Sequence, residues 1–147
     1  FAPRLLLQAI ALYRSLYRPS ARWPRPYVTI GVPLIAAPTD AEAEFLASSS
    51  YQRVLGILKG ERRKLAPPVA GLAEQLSPAE RAAVGEFLAA AVVGGPETVH
   101  AGLQALVQAT QADELMLVCD VFDPALRLRS LDIAAAAHAR LRAAPSL

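Results

Sequence analysis

The sequence is poor in the residues that build disulfides, metal sites and nucleic-acid surfaces. Cys119 is the only cysteine among 147 residues, so no disulfide can form within the chain, and a reducing compartment such as the cytoplasm is expected. His100 and His138 share no HxxxH or Cys/His spacing, so we expect no metal site. The net charge is only +2 and the basic residues are scattered, whereas a nucleic-acid footprint gathers them on one face. We therefore expect a cytoplasmic protein without a nucleic-acid partner.

The sequence also lacks long apolar runs and the composition of a disordered chain. No run of about 18 apolar residues is present, so no membrane span is predicted. Hydrophobic residues make up 54% and charged residues 19%, which favours a packed core over disorder. A chain of 147 residues is long enough for one domain with a sizeable core. It begins at Phe1 rather than Met and has no signal-peptide layout, so we expect it to belong to a longer protein.

Apolar strands that alternate with helices are the main positive signal. Tyr27–Ala36 and Leu115–Cys119 are almost continuously apolar, which is typical of parallel strands covered on both faces. A shorter strand is predicted at Ala91–Val93. Caps and apolar spacing predict helices over residues 3–17, 39–58, 77–88, 95–108 and 123–141. The pattern predicts an α/β fold with parallel strands and outer helices.

Two irregular features interrupt this pattern. Pro33 lies within the first long strand, and because proline cannot donate to the ladder, the strand is expected either to bend or to end there. Residues 59–76 form the longest irregular stretch and include Pro67 and Pro68. Loops of this length in a compact domain are usually functional lids or disordered segments, and we interpret this one as a lid.

Candidate site residues cluster after the strands and in the lid. Asp120, Phe122 and Asp123 follow a strand's carboxyl end, where α/β folds bind ligands, although Asp123 is better explained as a helix cap. For Asp120 and Phe122 a structural and a functional role are equally open. Cys119 has the pattern of a buried small hydrophobic residue. No complete catalytic set is present, so the catalytic residues stay unassigned.

Two further groups suggest anion binding. Gly94 and Gly95 precede a helix and could cradle a phosphate, but the Lys-Ser/Thr of a P-loop is missing and a structural role is favoured. Arg62, Arg63 and Lys64 could clamp a phosphate as the lid closes, or they could lie in a solvated loop.

Three stretches of the chain resemble the bacterial-luciferase-like, flavin-dependent monooxygenases. ALYRSLYRPS is similar to the helix after the family's sixth strand, and PYVTIGVPLIAAPTDAEAEFLAS is similar to its seventh strand and helix. VVGGPETVHAGLQALVQATQADELML, together with FDPALRLRSLDIAA, is similar to the eighth-strand unit and closing helix. Their order and spacing are more specific than any one motif, and the resemblance covers nearly the whole chain. Three residues depart from the family pattern: Gln111 replaces a common glycine, Leu131 replaces a common aromatic residue, and Pro33 interrupts the seventh strand.

The resemblance implies a fold, a cofactor and a site. Residues 1–147 would form the carboxyl-terminal portion of a TIM (β/α)8 barrel, from the end of strand six to helix eight, with residues 59–76 as the mobile lid. Reduced flavin, expected as FMN, and a small organic substrate would bind at the carboxyl-terminal mouth and react with oxygen. The pocket residues implied are Phe1, Ala36, Cys119, Asp120 and Phe122, with Arg62, Arg63 and Lys64 of the lid for phosphate.

The same resemblance places most flavin contacts and the catalytic residues before Phe1. The partner expected is therefore the remainder of the barrel or another subunit, and this chain alone is expected to be inactive. Two alternatives stay open. One is a deazaflavin-dependent reductase on the same barrel, and the other is a non-catalytic remnant that pairs with another chain over exposed strand edges.

Overall fold

The computed structural model describes residues 3–61 and 63–143, which form three strands and six helices. Phe1, a predicted pocket residue, and Arg62, a predicted lid residue, lie outside the described residues. In chain order the elements are α1 (Pro3–Leu16), β1 (Thr29–Ala36), α2 (Asp40–Leu58), α3 (Leu72–Gln75), α4 (Pro78–Phe87), β2 (Val92–Gly94), α5 (Pro96–Thr110), β3 (Glu114–Val118) and α6 (Pro124–Ala143).

The three strands form one parallel sheet with β1 in the centre, in the order β2-β1-β3. This confirms the prediction that the two long strands run parallel. The strands β1 and β3 pair from Thr29 with Glu114 to Pro33 with Val118. The strands β1 and β2 pair only at the carboxyl end, from Leu34 with Val92 to Ala36 with Gly94.

Pro33 lies where β1 changes partner. Pairing with β3 ends at Pro33, and pairing with β2 begins at Leu34. The missing N–H of proline therefore falls at the boundary between the two ladders, where its loss costs little. The strand neither ends nor breaks at Pro33 but continues to Ala36.

One face of the sheet is covered by helices. Ile30, Val32 and Leu34 of β1 are at most 4% exposed. They pack with Ile10 of α1, Val99 and Leu103 of α5, and Ala134 and Ala137 of α6 in one core cluster. A second cluster, at the carboxyl end of β1, joins Ile35 and Ala37 to α2. Helical spacing of the apolar residues therefore brings α1, α5 and α6 onto the same side of the sheet.

The opposite face of the sheet is bare over β3 and the first part of β1, whereas α2 covers it at Ile35. Thr29 and Gly31 are exposed, and on β3 the exposed fractions of Met116 and Val118 are 59% and 44%. The prediction that both long strands are covered on both faces is therefore wrong for β3 and for the first part of β1, and it holds only at the carboxyl end of β1. The physical reason is that the helices of the main core cluster, α1, α5 and α6, all lie on the covered face. The side chains along β3 are therefore alternately half-buried and exposed.

Candidate functional site at the carboxyl ends of the strands

A cleft of about 230 Å³ opens beside the carboxyl ends of β1 and β3. Gly31, Pro33 and Val118 of the bare sheet face line it, together with Ser50 and Arg53 of α2 and Asp120 after β3. In parallel α/β sheets this end of the strands is where ligands bind, because loops from several strands meet there. We call this cleft the mouth cleft.

The mouth cleft contains a close ion pair. Arg53 Nη2 lies 2.6 Å from Asp120 Oδ2, and the two side chains are 38% and 34% exposed. Arg53 Nε is buried and has no hydrogen-bond acceptor. The structure thus brings the predicted site residue Asp120 together with an arginine that sequence reasoning did not select. The sequence held one signal for this arginine: Arg53 lies three positions after Ser50, so helical spacing places both on the side of α2 that lines the cleft.

Ala36, a second predicted site residue, is 1% exposed and lies beneath the mouth rather than on its surface. Its N–H donates to Ser130 Oγ at 2.7 Å. This contact replaces a ladder bond, because β3 has already ended at Val118 when β1 reaches Ala36. The hydroxyl of α6 therefore satisfies a buried donor at the end of the central strand.

The residues after β3 divide into capping and surface roles. Asp123 Oδ1 accepts from the N–H groups of Ala125 at 2.8 Å and Leu126 at 3.0 Å, which confirms its predicted role as a helix cap. Cys119 is half-buried and packs against the cluster at the end of β1. Phe122 is 43% exposed, so its ring is available at the rim of the sheet's carboxyl end.

The glycine pair before α5 holds a carboxylate of the chain itself. The Gly95 N–H donates to Asp40 Oδ1 at 2.6 Å, and this bond, with a second from the Thr98 side chain, lowers the pKa of Asp40. A Cβ at Gly94 would approach Thr98 Cγ2 to 2.5 Å and Asp40 Oδ1 to 2.8 Å, so glycine is required for the close approach. The helix end that could cradle a phosphate is thus filled by Asp40, which confirms the structural interpretation.

A second cleft, of about 350 Å³, lies between α2 and the first part of the lid segment. Arg53, Lys59, Arg63 and Lys64 line it. Three of these cations already have carboxylate partners: Arg53 pairs with Asp120, Arg63 Nη2 lies 3.0 Å from Glu61, and Lys59 Nζ lies 3.3 Å from Glu80. A phosphate there would compete with these carboxylates. Arg53 borders both this cleft and the mouth cleft.

The lid segment is tied to α2 in its second half. The Val69 N–H donates to Ser48 Oγ at 2.8 Å, and Gln52 Nε2 donates to the Pro67 carbonyl at 2.9 Å. Apart from α3, residues 59–61 and 63–76 contain no helix or strand. The buried Ser48 and the half-buried Gln52 of α2 therefore hold the second half of the lid segment against this helix.

Two classes of feature are missing from the part of the chain that the structure describes. No group of three or more histidine, cysteine or acidic side chains lies close enough to hold a metal ion. No helix within residues 3–61 and 63–143 has the length and apolar character needed to cross a membrane.

Known proteins match this chain over most of its length. The Bacillus subtilis protein YvbT is 43% identical over 135 residues, which are 92% of this chain and 40% of YvbT. A luciferase-like monooxygenase of Escherichia coli is 39% identical over 134 residues, 91% of this chain and 40% of that protein. Over its matched residues the chain is homologous to this luciferase-like monooxygenase. No protein-family model matches it.

A solved structure supports the same assignment for the fold. The crystal structure of apo-MsnO8 is 28% identical and has a TM-score of 0.78, covering 98% of this chain and 43% of that one. The described arrangement of parallel strands and helices is thus shared with a longer protein. The chain spans about 40% of the length of these two curated relatives.

Proposed function

We propose that this chain forms the seventh and eighth strand units of a TIM barrel that acts as a flavin-dependent monooxygenase. Here β1 is the seventh strand, β3 is the eighth, and the bare face lines the barrel interior. The observation that carries the proposal is that bare apolar face, which lies directly beside a polar cleft at the carboxyl ends of the strands. The homology to a luciferase-like monooxygenase and the 40% share of the relatives' length support it.

The residues at the mouth fit one side of a flavin ring but cannot enclose it. The mouth cleft of about 230 Å³ is smaller than the roughly 300–1,000 Å³ of typical ligand pockets. Gly31, Pro33 and Val118 offer a flat apolar surface, and Arg53 and Asp120 offer polar contacts. Cys119, Phe122 and the strand end near Ala36 would border the ligand. Arg63 and Lys64 would meet a phosphate if the lid closed over the mouth.

Reduced flavin, when bound, supplies the electrons that reduce oxygen. The part of this chain would be to bind and orient one side of the cofactor and substrate and to exclude water from them. Since the chain spans only about 40% of the length of its relatives, we expect no turnover from it alone. The partner would be the remainder of the barrel, and FMN is the proposed cofactor.

The proposal is tested with a chimera in which this chain replaces the matching stretch of the Escherichia coli luciferase-like monooxygenase. We expect the chimera to bind FMN in an absorbance titration and to consume oxygen when FMN is reduced. The unmodified Escherichia coli protein is the control for both measurements, and a parallel titration with a deazaflavin tests the reductase alternative. A folded chimera that binds neither cofactor, beside a parent that binds one, would contradict the proposal.

The bare face also favours a second candidate, pairing with another chain without catalysis. Exposed Met116 and Val118 and the unpaired edge of β3 in the described sheet would form the contact. Sedimentation of the 147-residue chain separates the two proposals. A concentration-dependent dimer that the Met116→Lys variant abolishes would favour pairing, whereas a monomer at all concentrations would favour the barrel.

A further inference from the structure

Arg53 has more hydrogen-bond donors than the described chain uses. A guanidinium carries five N–H groups. Its one ion pair within 4 Å in the described residues joins Nη2 to Asp120, and Nε is buried without an acceptor. The side chain is 38% exposed, so a ligand in the mouth cleft can reach the Nη groups. Because Nε is enclosed by the protein and Arg53 lines the mouth cleft, the unused Nη donors are the groups that a ligand in this cleft would meet.

Asp120 decides which acceptor fits. At 2.6 Å its carboxylate balances the charge of Arg53, so the pair offers donors with no net charge. An anion in the cleft would gain from Arg53 but would be repelled by Asp120. An uncharged carbonyl oxygen would gain the same hydrogen bonds without that repulsion, and it loses less hydration on burial than an anion does.

The neighbouring wall of the cleft favours a planar ligand. Gly31 adds no side chain, and nothing lies within 4 Å of the position where its Cβ would be. Pro33 and Val118 continue this surface along the bare face. A flat ring could lie against these three residues with its polar edge toward Arg53.

We propose that Arg53 binds an uncharged carbonyl oxygen of a planar ligand in the mouth cleft, with Asp120 fixing the guanidinium. Only the identity of the ligand rests on the function proposed above. A ring carbonyl of the flavin and a carbonyl of the organic substrate both have this chemistry.

The first test is an NMR titration of the Arg53 Nε–H signal in the 147-residue chain, identified by its loss in the Arg53→Lys variant. The probes are uracil, which is planar with uncharged carbonyls, and benzoate and inorganic phosphate, which are anions. We expect a saturable shift with uracil and binding of both anions that is at least about fivefold weaker. Tighter binding of either anion, or no shift with uracil, would overturn the proposal.

Two variants separate recognition from a general charge effect. Asp120→Asn leaves the charge of Arg53 unbalanced, so we expect benzoate and phosphate to gain at least about fivefold relative to uracil. Arg129→Lys is the matched control, because it makes the same change as Arg53→Lys at an arginine that lies 4.0 Å from Glu42 on the protein surface. It should leave uracil binding unchanged. Amide spectra of all variants establish that they are folded, and backbone amide shifts on addition of uracil measure its binding to the arginine variants, because Arg53→Lys lacks the Arg53 Nε–H signal. Equal losses in both arginine variants would contradict the assignment of the carbonyl site to Arg53.

The chimera identifies the source of the carbonyl and keeps the two proposals distinguishable. If Arg53→Lys in the chimera raises the Kd for FMN, the oxygen belongs to the flavin, and if it raises only the KM for substrate, the oxygen belongs to the substrate. If Arg53→Lys in the chimera alters neither the Kd for FMN nor the KM for substrate, the inference is overturned and the proposed function stays intact. If uracil binds at Arg53 of the 147-residue chain but the chimera binds no flavin, the inference is supported and the proposed function is contradicted.

Discussion

The two faces of the sheet carry similar apolar side chains but have different surroundings. Ile30, Val32 and Leu34 are buried under helices, whereas Met116 and Val118 face outward and are largely exposed. Burial of apolar surface stabilises a fold by roughly 25 cal/mol per Å². The covered face therefore holds this chain together, and the bare face contributes little until something covers it. The comparison separates residues that stabilise the chain from residues that it offers to a partner or ligand.

The difference between the two faces is tested most strongly by shortening one side chain on each face and comparing the free energies of unfolding. Leu34→Ala removes a side chain with no exposed surface, and we expect a loss of about 2–5 kcal/mol in the free energy of unfolding. Met116→Ala on the bare face should change it by no more than about 0.5 kcal/mol. Urea unfolding of the 147-residue chain measures both. A loss at Met116 as large as at Leu34 would show that the second face is covered in solution.

A smaller effect is expected at the carboxyl end of the covered face, where α6 completes the strand. Ser130→Ala leaves the buried Ala36 N–H without its acceptor, so we expect a loss of about 1–3 kcal/mol in unfolding free energy. Ser15→Ala is the control, because that hydroxyl is exposed and donates to the Leu12 carbonyl within α1. It should change stability by no more than about 0.5 kcal/mol. Similar values for the two variants would show that the contact between strand and helix contributes nothing.

Local patterns in the sequence predicted the elements well. Apolar runs located β1 and β3, and caps located α2, α4 and α6 close to their ends in the structure. The uncovered face could not be predicted in this way. An unbroken apolar run fits burial on both faces, and it does not tell whether the second covering layer lies in the same chain.

The candidate site was only partly predictable, for a related reason. Asp120 and Phe122 were found because they directly follow a strand. Arg53, Ser130 and Asp40 were missed because each acts on a residue far away in the sequence, and no spacing rule connects such pairs. Arg53 meets Asp120, Ser130 meets Ala36, and Asp40 meets Gly95. Only the packing of helices against the sheet brings them together.

The hydrogen bond between Asp40 of α2 and Gly95 before α5 allows a test of how a surface carboxylate contributes to stability, without a change in the core. In the folded chain the pKa of Asp40 is lowered by hydrogen bonds from Gly95 and Thr98. The stabilisation is therefore present above the ordinary carboxyl pKa and is lost as the pH falls through the lowered folded-state pKa. We expect Asp40→Asn to lower the Tm at pH 7 and the difference from the unsubstituted chain to shrink in acid. Asp132→Asn, an exposed position on α6, should change the Tm little at either pH. A difference that persists unchanged in acid would exclude this carboxylate as the cause.

The smallest expected effect lies at Gln111, where α5 ends before the chain enters β3. Gln111 adopts the left-handed conformation, with φ 49° and ψ 36°, which favours glycine over residues with a Cβ. Arg14 Nη2 donates to its carbonyl at 2.6 Å, and glycine would keep that contact. The Gln111 side chain also donates to the Gln108 carbonyl at 2.9 Å, which glycine would lose. The net expectation for Gln111→Gly is a gain of about 0.5–1 kcal/mol in unfolding free energy.

Gln108→Gly is the matched control for Gln111→Gly, because it places the same residue in the same helix at an exposed interior position, where a loss of about 1 kcal/mol is expected. If the free energy of unfolding, measured in urea, falls for Gln108→Gly and rises for Gln111→Gly, the strain lies in the backbone of residue 111. Neither substitution changes a side chain on the sheet, so both should leave uracil binding at the mouth cleft unchanged. A loss of stability at 111 equal to that at 108 would mean that the helix end is not strained by glutamine.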